Sequence, residues 1–239
     1  SSEITGYSTF LTSLDLNSMG DEKYIANGSK WDFASSDNQV FTWAIADNGS
    51  YKWSNKNVYK DKINKALEEF EKTTNLKIQY FGSYDSIEDA DIGGADFIFS
   101  VDDIGAPASA FFPDKQYGGL NGGRIIWFDI DTIGWIDSNA ISAGWVTETL
   151  IHEIGHAIGL KHPHDRGTLN NPHTTGTREN PKSHISTEDT VMSYYNASWQ
   201  PNTLTGSFDA YYATTPMYLD ALYLNNYVYG QPSYTGHVG

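Results

Sequence analysis

The chain has 239 residues, which is enough to bury one sizeable core or two modest ones. Its 30 acidic and 15 basic residues give a formal net charge of −15, which argues against nucleic acid and anionic membranes as partners. The lack of cysteine excludes disulfides, thiolate zinc sites and cysteine nucleophiles, and no apolar stretch approaches the about 20 residues that span a bilayer.

The first half of the chain predicts an α/β layer built on a mixed sheet. Residues 1–38 are polar and weakly periodic, and we interpret 1–24 as an irregular lead-in. Apolar and β-branched runs predict five strands, of which the short fourth run ends at Pro113 and suits an edge strand. The predicted strands are 39–46, 76–81, 96–101, 108–113 and 124–130.

One amphipathic helix is predicted between the first two strands, over residues 57–73. Its apolar positions recur at three- and four-residue steps and form a single stripe, and Asn57 is the predicted N-cap. The stripe consists of Tyr59, Ile63, Ala66, Leu67 and Phe70.

Two more helices are predicted in the second half. One covers residues 142–160 and ends at Gly159. The other covers 216–229, with Thr215 as N-cap, Pro216 at the first position and Gly230 as the stop signal. Residues 163–189 between them are rich in Pro, Gly, Asn and Thr, and a loop of this length is usually functional or disordered.

Residues 152–162 read HEIGHAIGLKH and carry the chemistry. His152 and His156 are four residues apart, so on an α-helix both rings leave the same face, about 6 Å apart along the axis. Two imidazoles at that spacing can ligate one tetrahedral zinc ion. Glu153 follows the first histidine directly and can reach a water molecule at the metal without ligating the ion, which is the placement of a general base.

A catalytic zinc site needs a third protein ligand if one position is to stay open. His162 is six residues beyond His156, and a continuous helix would turn it away from the metal. Gly159 can adopt the left-handed conformation that ends a helix, which lets the chain turn and bring His162 back. The full pattern is H-E-x-x-H-x-x-G-x-x-H.

A structural histidine cluster is the alternative interpretation of this pattern. A bare H-E-x-x-H occurs by chance in many long chains, but the extended pattern fixes two further positions. It also lies on a helix whose other face is apolar, with Val146, Leu150, Ile151, Ile154 and Ile158. These features favour the zinc site.

The extended pattern resembles that of the metzincin metalloproteases. These enzymes also carry a Met-turn below the zinc, and Val191-Met192-Ser193-Tyr194-Tyr195 resembles that turn. The resemblance implies that Met192 packs under the three imidazoles. It implies a zincin-like fold, with a five-stranded mixed twisted sheet, an active-site helix and a C-terminal helix.

Further details resemble the serralysin family. Pro163 follows the third histidine, and Tyr194 stands two positions after the methionine, a tyrosine that astacins share and that matrixins and adamalysins lack. Its implied role is that of a further zinc ligand that swings away to hydrogen-bond the transition state. Serralysins continue into a calcium-binding β-roll, whereas this chain stops at Gly239, so we expect a catalytic domain without the roll.

The remaining candidates have weaker support. His164 and Asp165 lie next to the third ligand in the sequence, so they could support that ligand or contact the substrate. The favoured interpretation is that both are surface-loop residues, as are His173 and His184. The acidic run 85–103 could hold calcium, yet no D-x-D-x-D-G loop occurs there and a solvated face is favoured.

Together these observations predict a secreted, zinc-dependent endopeptidase with one catalytic zinc and protein or peptide substrates. We expect a monomer, with an upper lobe over 25–162 and a lower lobe over 163–239. No signal peptide is recognisable at the start of this chain, so secretion is implied by the resemblance alone. The alternatives are a narrow-specificity or self-processing metzincin and a catalytically silent zinc-bearing adhesion or binding module.

Overall fold

The computed structural model describes residues 4–10, 13–113, 122–165, 185–194, 200–201, 208–209 and 212–232. Its strands are β1 (Ile4–Thr9), β2 (Ser29–Phe33), β3 (Gln39–Ala46), β4 (Leu76–Tyr84), β5 (Phe97–Asp102), β6 (Ala108–Ala110), β7 (Ile125–Asp129), β8 (Gln200–Pro201) and β9 (Phe208–Asp209). Its α-helices are α1 (Lys56–Thr73), α2 (Ile87–Ile92), α3 (Ile130–Asp137), α4 (Ala143–Ile158) and α5 (Tyr218–Tyr223). Two short 3₁₀ helices cover Asp21–Ile25 and Gly122–Arg124, and α5 continues as a π-helical turn over Leu224–Val228.

Five strands form one mixed sheet in the order β4-β3-β5-β7-β6. The first four strands of that order run parallel, and β6 pairs antiparallel with β7. This confirms the predicted fold class, a five-stranded mixed sheet with an active-site helix. The predicted edge strand is real but short, because only Ala108–Ala110 pairs with β7.

The sheet separates a large core from a small one. Along β5, Phe97, Phe99 and Val101 join the large core with α1 and α4, whereas Ile98 joins the small core beside α2. This alternation follows from the two-residue period of a strand whose faces are both covered. The five apolar residues predicted for the stripe of α1 are all buried.

The N-cap of the first helix lies two residues earlier than predicted. Asn55, not Asn57, is the N-cap, and its side chain accepts hydrogen bonds from the backbone N–H groups of Asn57 and Val58. These two bonds satisfy two of the donors that every helix start leaves open.

The last helix also differs from its prediction. It begins after Met217, whose N–H donates to the carboxylate of Asp220 at 2.8 Å. Thr215 therefore does not cap it, and the Thr215 hydroxyl instead donates to the carbonyl of Pro216. The helix end lies where predicted, because Gly230 takes a left-handed φ of 85°.

The prediction of an irregular lead-in over 1–24 is wrong where the structure describes it. β1 lies there and pairs antiparallel with β2, and Asp21–Ile25 forms a 3₁₀ helix. The following residues run beside the end of α4: Lys161 N–H donates to Ile25 C=O, and Asn27 N–H donates to Gly159 C=O. The N-terminal part of the chain thus supports the segment that carries the third histidine.

Candidate metal centre and catalytic cleft

Helix α4 carries the first two histidines and the glutamate into the interior. Its start is capped by Ser142, whose hydroxyl accepts the N–H of Trp145. His152, Glu153 and His156 are all buried. His152 and His156 leave the same side of the helix because their spacing is close to one turn, and Glu153 lies about 100° around the helix from His152.

The helix ends at a glycine that no other residue could replace without strain. Gly159 has φ 117° and ψ 16°, and a Cβ there would lie 2.4 Å from the Ser29 carbonyl oxygen. Side chains also bind the last carbonyls of the helix: Trp31 Nε1 donates to Ala157 O at 2.7 Å and Tyr229 Oη donates to Ile158 O at 2.8 Å. The chain is therefore turned and fixed immediately before His162.

The three imidazoles converge through the same ring atom. His162 Nε2 lies 3.0 Å from His152 Nε2 and 3.0 Å from His156 Nε2. Each opposite nitrogen faces an acceptor: His152 Nδ1 donates to Val191 O at 2.8 Å and His156 Nδ1 donates to Leu160 O at 2.8 Å. His162 Nδ1 donates to Asp165 Oδ2 at 2.9 Å.

This arrangement fits a zinc ion. Protons on the three Nδ1 atoms leave three Nε2 lone pairs pointing at one another, which is repulsive unless a cation lies between them. Burial lowers the pKa of His152 to about 4, with a further contribution from His162, so the ring is neutral as a ligand must be. Tetrahedral zinc with Zn–N bonds of about 2.0–2.1 Å separates its ligand nitrogens by about 3.3 Å, close to the spacing found.

Glu153 lies beside this cluster without joining it. Among the described residues, two groups of side chains are close enough to share a metal ion, His152/His156/His162 and His162/His164/Asp165, and Glu153 belongs to neither. Burial raises the pKa of Glu153 to about 8, and the N–H of Ala110, which donates to the carboxylate, opposes that rise. The carboxylate is thus placed between the metal cluster and the edge strand β6.

Met192 packs tightly against the active-site helix. It is fully buried, and a Cβ added to Gly155 would lie 2.7 Å from its sulfur atom. The glycine inside the H-E-x-x-H pattern is therefore what lets the methionine approach the helix between the two histidine positions.

A buried carboxylate that we did not predict holds this turn in place. Asp220 accepts hydrogen bonds from Thr190 Oγ1 at 2.5 Å and from Val191 N–H at 2.9 Å. Burial raises the pKa of Asp220 to about 6, although these bonds oppose the rise. The Val191 N–H thus donates to Asp220, and the Val191 carbonyl accepts from His152. The three residues form one chain of hydrogen bonds.

The third histidine has its own support, which the sequence interpretation missed. The sequence favours a surface-loop position for Asp165, but in the structure its carboxylate accepts a hydrogen bond from the His162 ring, three residues away. The only signal for this contact in the sequence is the i, i+3 spacing after a turn. His164 stacks on His162 with ring centroids 4.9 Å apart and an interplanar angle of 13°.

Tyr194 lies over the histidine cluster. Its ring centroid is 5.5 Å from that of His152 and 4.5 Å from that of His162, and 58% of the residue is exposed. Tyr195, His173 and His184 lie outside the described residues. The carboxylates of the acidic run 85–103 form no three-ligand group among the described residues, and two of them serve the fold instead. Asp96 accepts from Thr42, and Asp91 pairs with Arg124.

A cleft of about 460 Å³ opens beside the cluster. Its walls come from the segment leading into β6, from the exposed side of α4, from the Met-turn and from the residues before α5. They are Ala106, Pro107, Ala108, Trp145, Glu148, Thr149, His152, Glu153, Thr187, Val191, Ser193, Tyr194 and Tyr212.

Comparison with known proteins places this centre in a family. A solved chain described as "Structure of a chaperone-substrate complex" is similar over 82% of this chain at 11% identity, but a TM-score of 0.39 supports no argument. This chain spans 34% of that chain's length. In the described part of the chain, no helix has both the length and the apolar character to cross a bilayer.

The family model for Matrixin (Peptidase_M10) matches residues 33–195, well over half of the sequence, and these include the whole histidine pattern and the Met-turn. The chain therefore belongs to the matrixin family of zinc metalloendopeptidases, as the predicted metzincin motif indicates.

Proposed function

We propose that this chain is a secreted endopeptidase of the serralysin type, with Glu153 as general base and Tyr194 as a further group acting at the metal. The observation that carries the proposal is a buried carboxylate next to three converging imidazoles. A purely structural zinc site needs four protein ligands and no neighbouring base. Three ligands with an adjacent carboxylate are typical of a hydrolytic site.

The metal's part is to supply charge. Zinc held by His152, His156 and His162 would polarise the scissile carbonyl and lower the pKa of water towards about 7. The chain itself provides the remaining steps. Glu153 takes a proton from the attacking water on its carboxylate oxygen and then gives that proton to the nitrogen of the leaving amine.

The substrate is held by the edge of the sheet. Among the described strands, β6 pairs with β7 along one side only, so apart from the Ala110 N–H, which Glu153 accepts, backbone groups on its other side can bond to an extended peptide that adds as a further strand. Because Ala110 of this strand donates to Glu153, a peptide on the edge is brought next to the base. We place the scissile bond in a cleft between an upper lobe, residues 25–162, and a lower lobe, residues 163–239.

Tyr194 supports the serralysin type. Its ring contacts two of the three imidazoles yet is 58% exposed, which suits a side chain that can approach and leave the site. A hydroxyl in that position can donate a hydrogen bond to the oxyanion that develops on the scissile carbonyl.

The test replaces the base and keeps the ligands. Glu153→Gln should retain one zinc per chain and lose casein hydrolysis by on the order of 10²–10⁴-fold. Glu69→Gln, a carboxylate on α1 that pairs with Lys72, is the matched control and should hydrolyse casein like the parent. Undiminished activity of Glu153→Gln would refute the assigned base. A zinc-loaded parent that cleaves no general substrate would instead support the self-processing enzyme or the silent binding module.

A further inference from the structure

A second carboxylate lies in the catalytic cleft, and the proposed chemistry does not use it. Glu148 stands four residues before His152 on α4, so its side chain lies one turn, about 6 Å, along the same face. It lines the cleft together with Trp145 and Thr149. The side chain is half-buried, and burial raises the pKa of this carboxyl.

No basic side chain in the described part of the chain forms an ion pair with Glu148. Its Oε1 accepts the N–H of Ala213 at 3.2 Å, a neutral backbone donor. None of the described residues that line the cleft is a lysine or an arginine, and the sequence as a whole is strongly acidic. The negative charge of Glu148 is therefore uncompensated within the cleft by these residues.

The walls around this carboxylate are mainly apolar. Pro107 and Ala108 contribute one side, and Trp145, Val191 and Tyr212 contribute the others. A cleft with mainly apolar walls and a carboxylate that the proposed chemistry does not use suits a long unbranched side chain that buries its methylene groups and carries a positive charge at its end. Lysine and arginine have that form.

We propose that Glu148 selects substrates with a lysine or arginine next to the scissile bond. This inference rests on the proposed endopeptidase function and names the substrate class that its cleft accepts. The cationic group would be bound by a charge-assisted hydrogen bond to the glutamate, which is the strong class of such bonds.

A structural role for Glu148 makes a different prediction. Its bond to Ala213 links α4 to the segment that precedes α5, and losing that link would affect all substrates alike. Glu148→Gln separates the two roles, because the amide oxygen can still accept from Ala213 while the negative charge is gone. Glu148→Ala removes both the charge and the link.

The experiment maps cleavage sites in casein and in a mixture of denatured proteins by mass spectrometry. The parent should show lysine and arginine enriched at one position flanking the cut. Peptide pairs taken from these sites, with Lys or Met at that position, should differ in kcat/KM by about 10–100-fold. In Glu148→Gln that ratio should fall to below about threefold, and Glu148→Lys should turn the preference towards acidic side chains.

Two results overturn the proposal, and they can be told apart from a failure of the function. If the parent cleaves proteins without enrichment of basic residues, or if Glu148→Gln keeps the parent's Lys/Met ratio, Glu148 does not select the substrate. If the zinc-loaded parent cleaves none of the proteins, the proposed function as a general endopeptidase fails and this inference fails with it.

Discussion

The three imidazoles of the zinc site are held in two different ways. His152 and His156 lie on a buried helix, and their Nδ1 atoms bond to backbone carbonyls, those of Val191 and Leu160. The third ring bonds instead to the Asp165 carboxylate, whose side chain is 40% exposed. One side of the site is therefore fixed by the folded backbone, and the other by a single replaceable side chain near the surface.

Folding of the backbone therefore orients His152 and His156, whereas the position of His162 depends on one side chain and on the binding of zinc. A backbone carbonyl cannot be removed by substitution, so the α4 side can be weakened only through the groups that hold Val191 and Leu160 in place. The His162 side can be weakened directly. The variants below test this contrast, from the largest expected effect to the smallest.

Removing the third ligand should have the largest effect. His162→Ala should lose zinc and, with it, hydrolytic activity, because two protein ligands do not retain the ion against a chelator. His164→Ala is the matched control: it removes the stacked neighbour, whose ring is not one of the three converging ligands, and zinc should stay near one per chain. Elemental analysis after dialysis measures both. The reverse outcome would mean that the wrong histidine has been assigned.

Removing the carboxylate behind the Met-turn should mainly lower stability. Asp220→Ala leaves the N–H groups of Val191 and Met217 without the fully buried carboxylate that accepts from them, at a cost of about 2–5 kcal/mol in the free energy of unfolding. Asp220→Asn retains an oxygen that can accept from both and should cost much less. Urea unfolding of the two variants compares them. Equal losses would show that the charge, and not the pair of hydrogen bonds, holds the turn.

Removing the support of the third ligand should weaken zinc binding without abolishing it. Asp165→Asn replaces a charged acceptor of the His162 Nδ1–H by a neutral one, and a 10–100-fold loss of zinc affinity is expected. Competition with a fluorescent chelator gives the affinity. Asp85→Asn, at a side chain 94% exposed and paired with Lys56, is the control. Unchanged zinc affinity in Asp165→Asn would show that the Asp165 carboxylate does not hold His162 in place for the metal.

Tyr194→Phe should have the smallest effect. Zinc content should stay the same while kcat falls about tenfold, less than the 10²–10³-fold typical of a rigid oxyanion donor, because the ring is 58% exposed. Steady-state kinetics on a peptide substrate measure the change. A kcat equal to that of the parent would remove Tyr194 from the mechanism.

The same contrast explains how much of the molecule the sequence could predict. The geometry of residues 152–162 can be predicted from the local sequence, because helix periodicity and one glycine suffice to bring three imidazoles together. The parallel strands could also be predicted from local sequence, because each is a run of apolar residues. β1 could not be predicted in this way, since only Ile4 among its inward-facing residues is a large apolar side chain.

The supports of the site were harder to predict because they connect distant parts of the chain. Asp220 bonds to Val191 across 29 residues and Trp31 bonds to Ala157 across 126, and no periodicity links such pairs. The ligands could therefore be found from one sequence, whereas most of the groups that orient them required the fold.

Zinc stoichiometry paired with casein hydrolysis before and after chelation tests the central claim most directly. The account predicts one zinc per chain, loss of hydrolysis when the chelator removes it, and recovery when zinc is restored. A chain that binds no zinc, or that hydrolyses casein equally well after the metal has been removed, would contradict it.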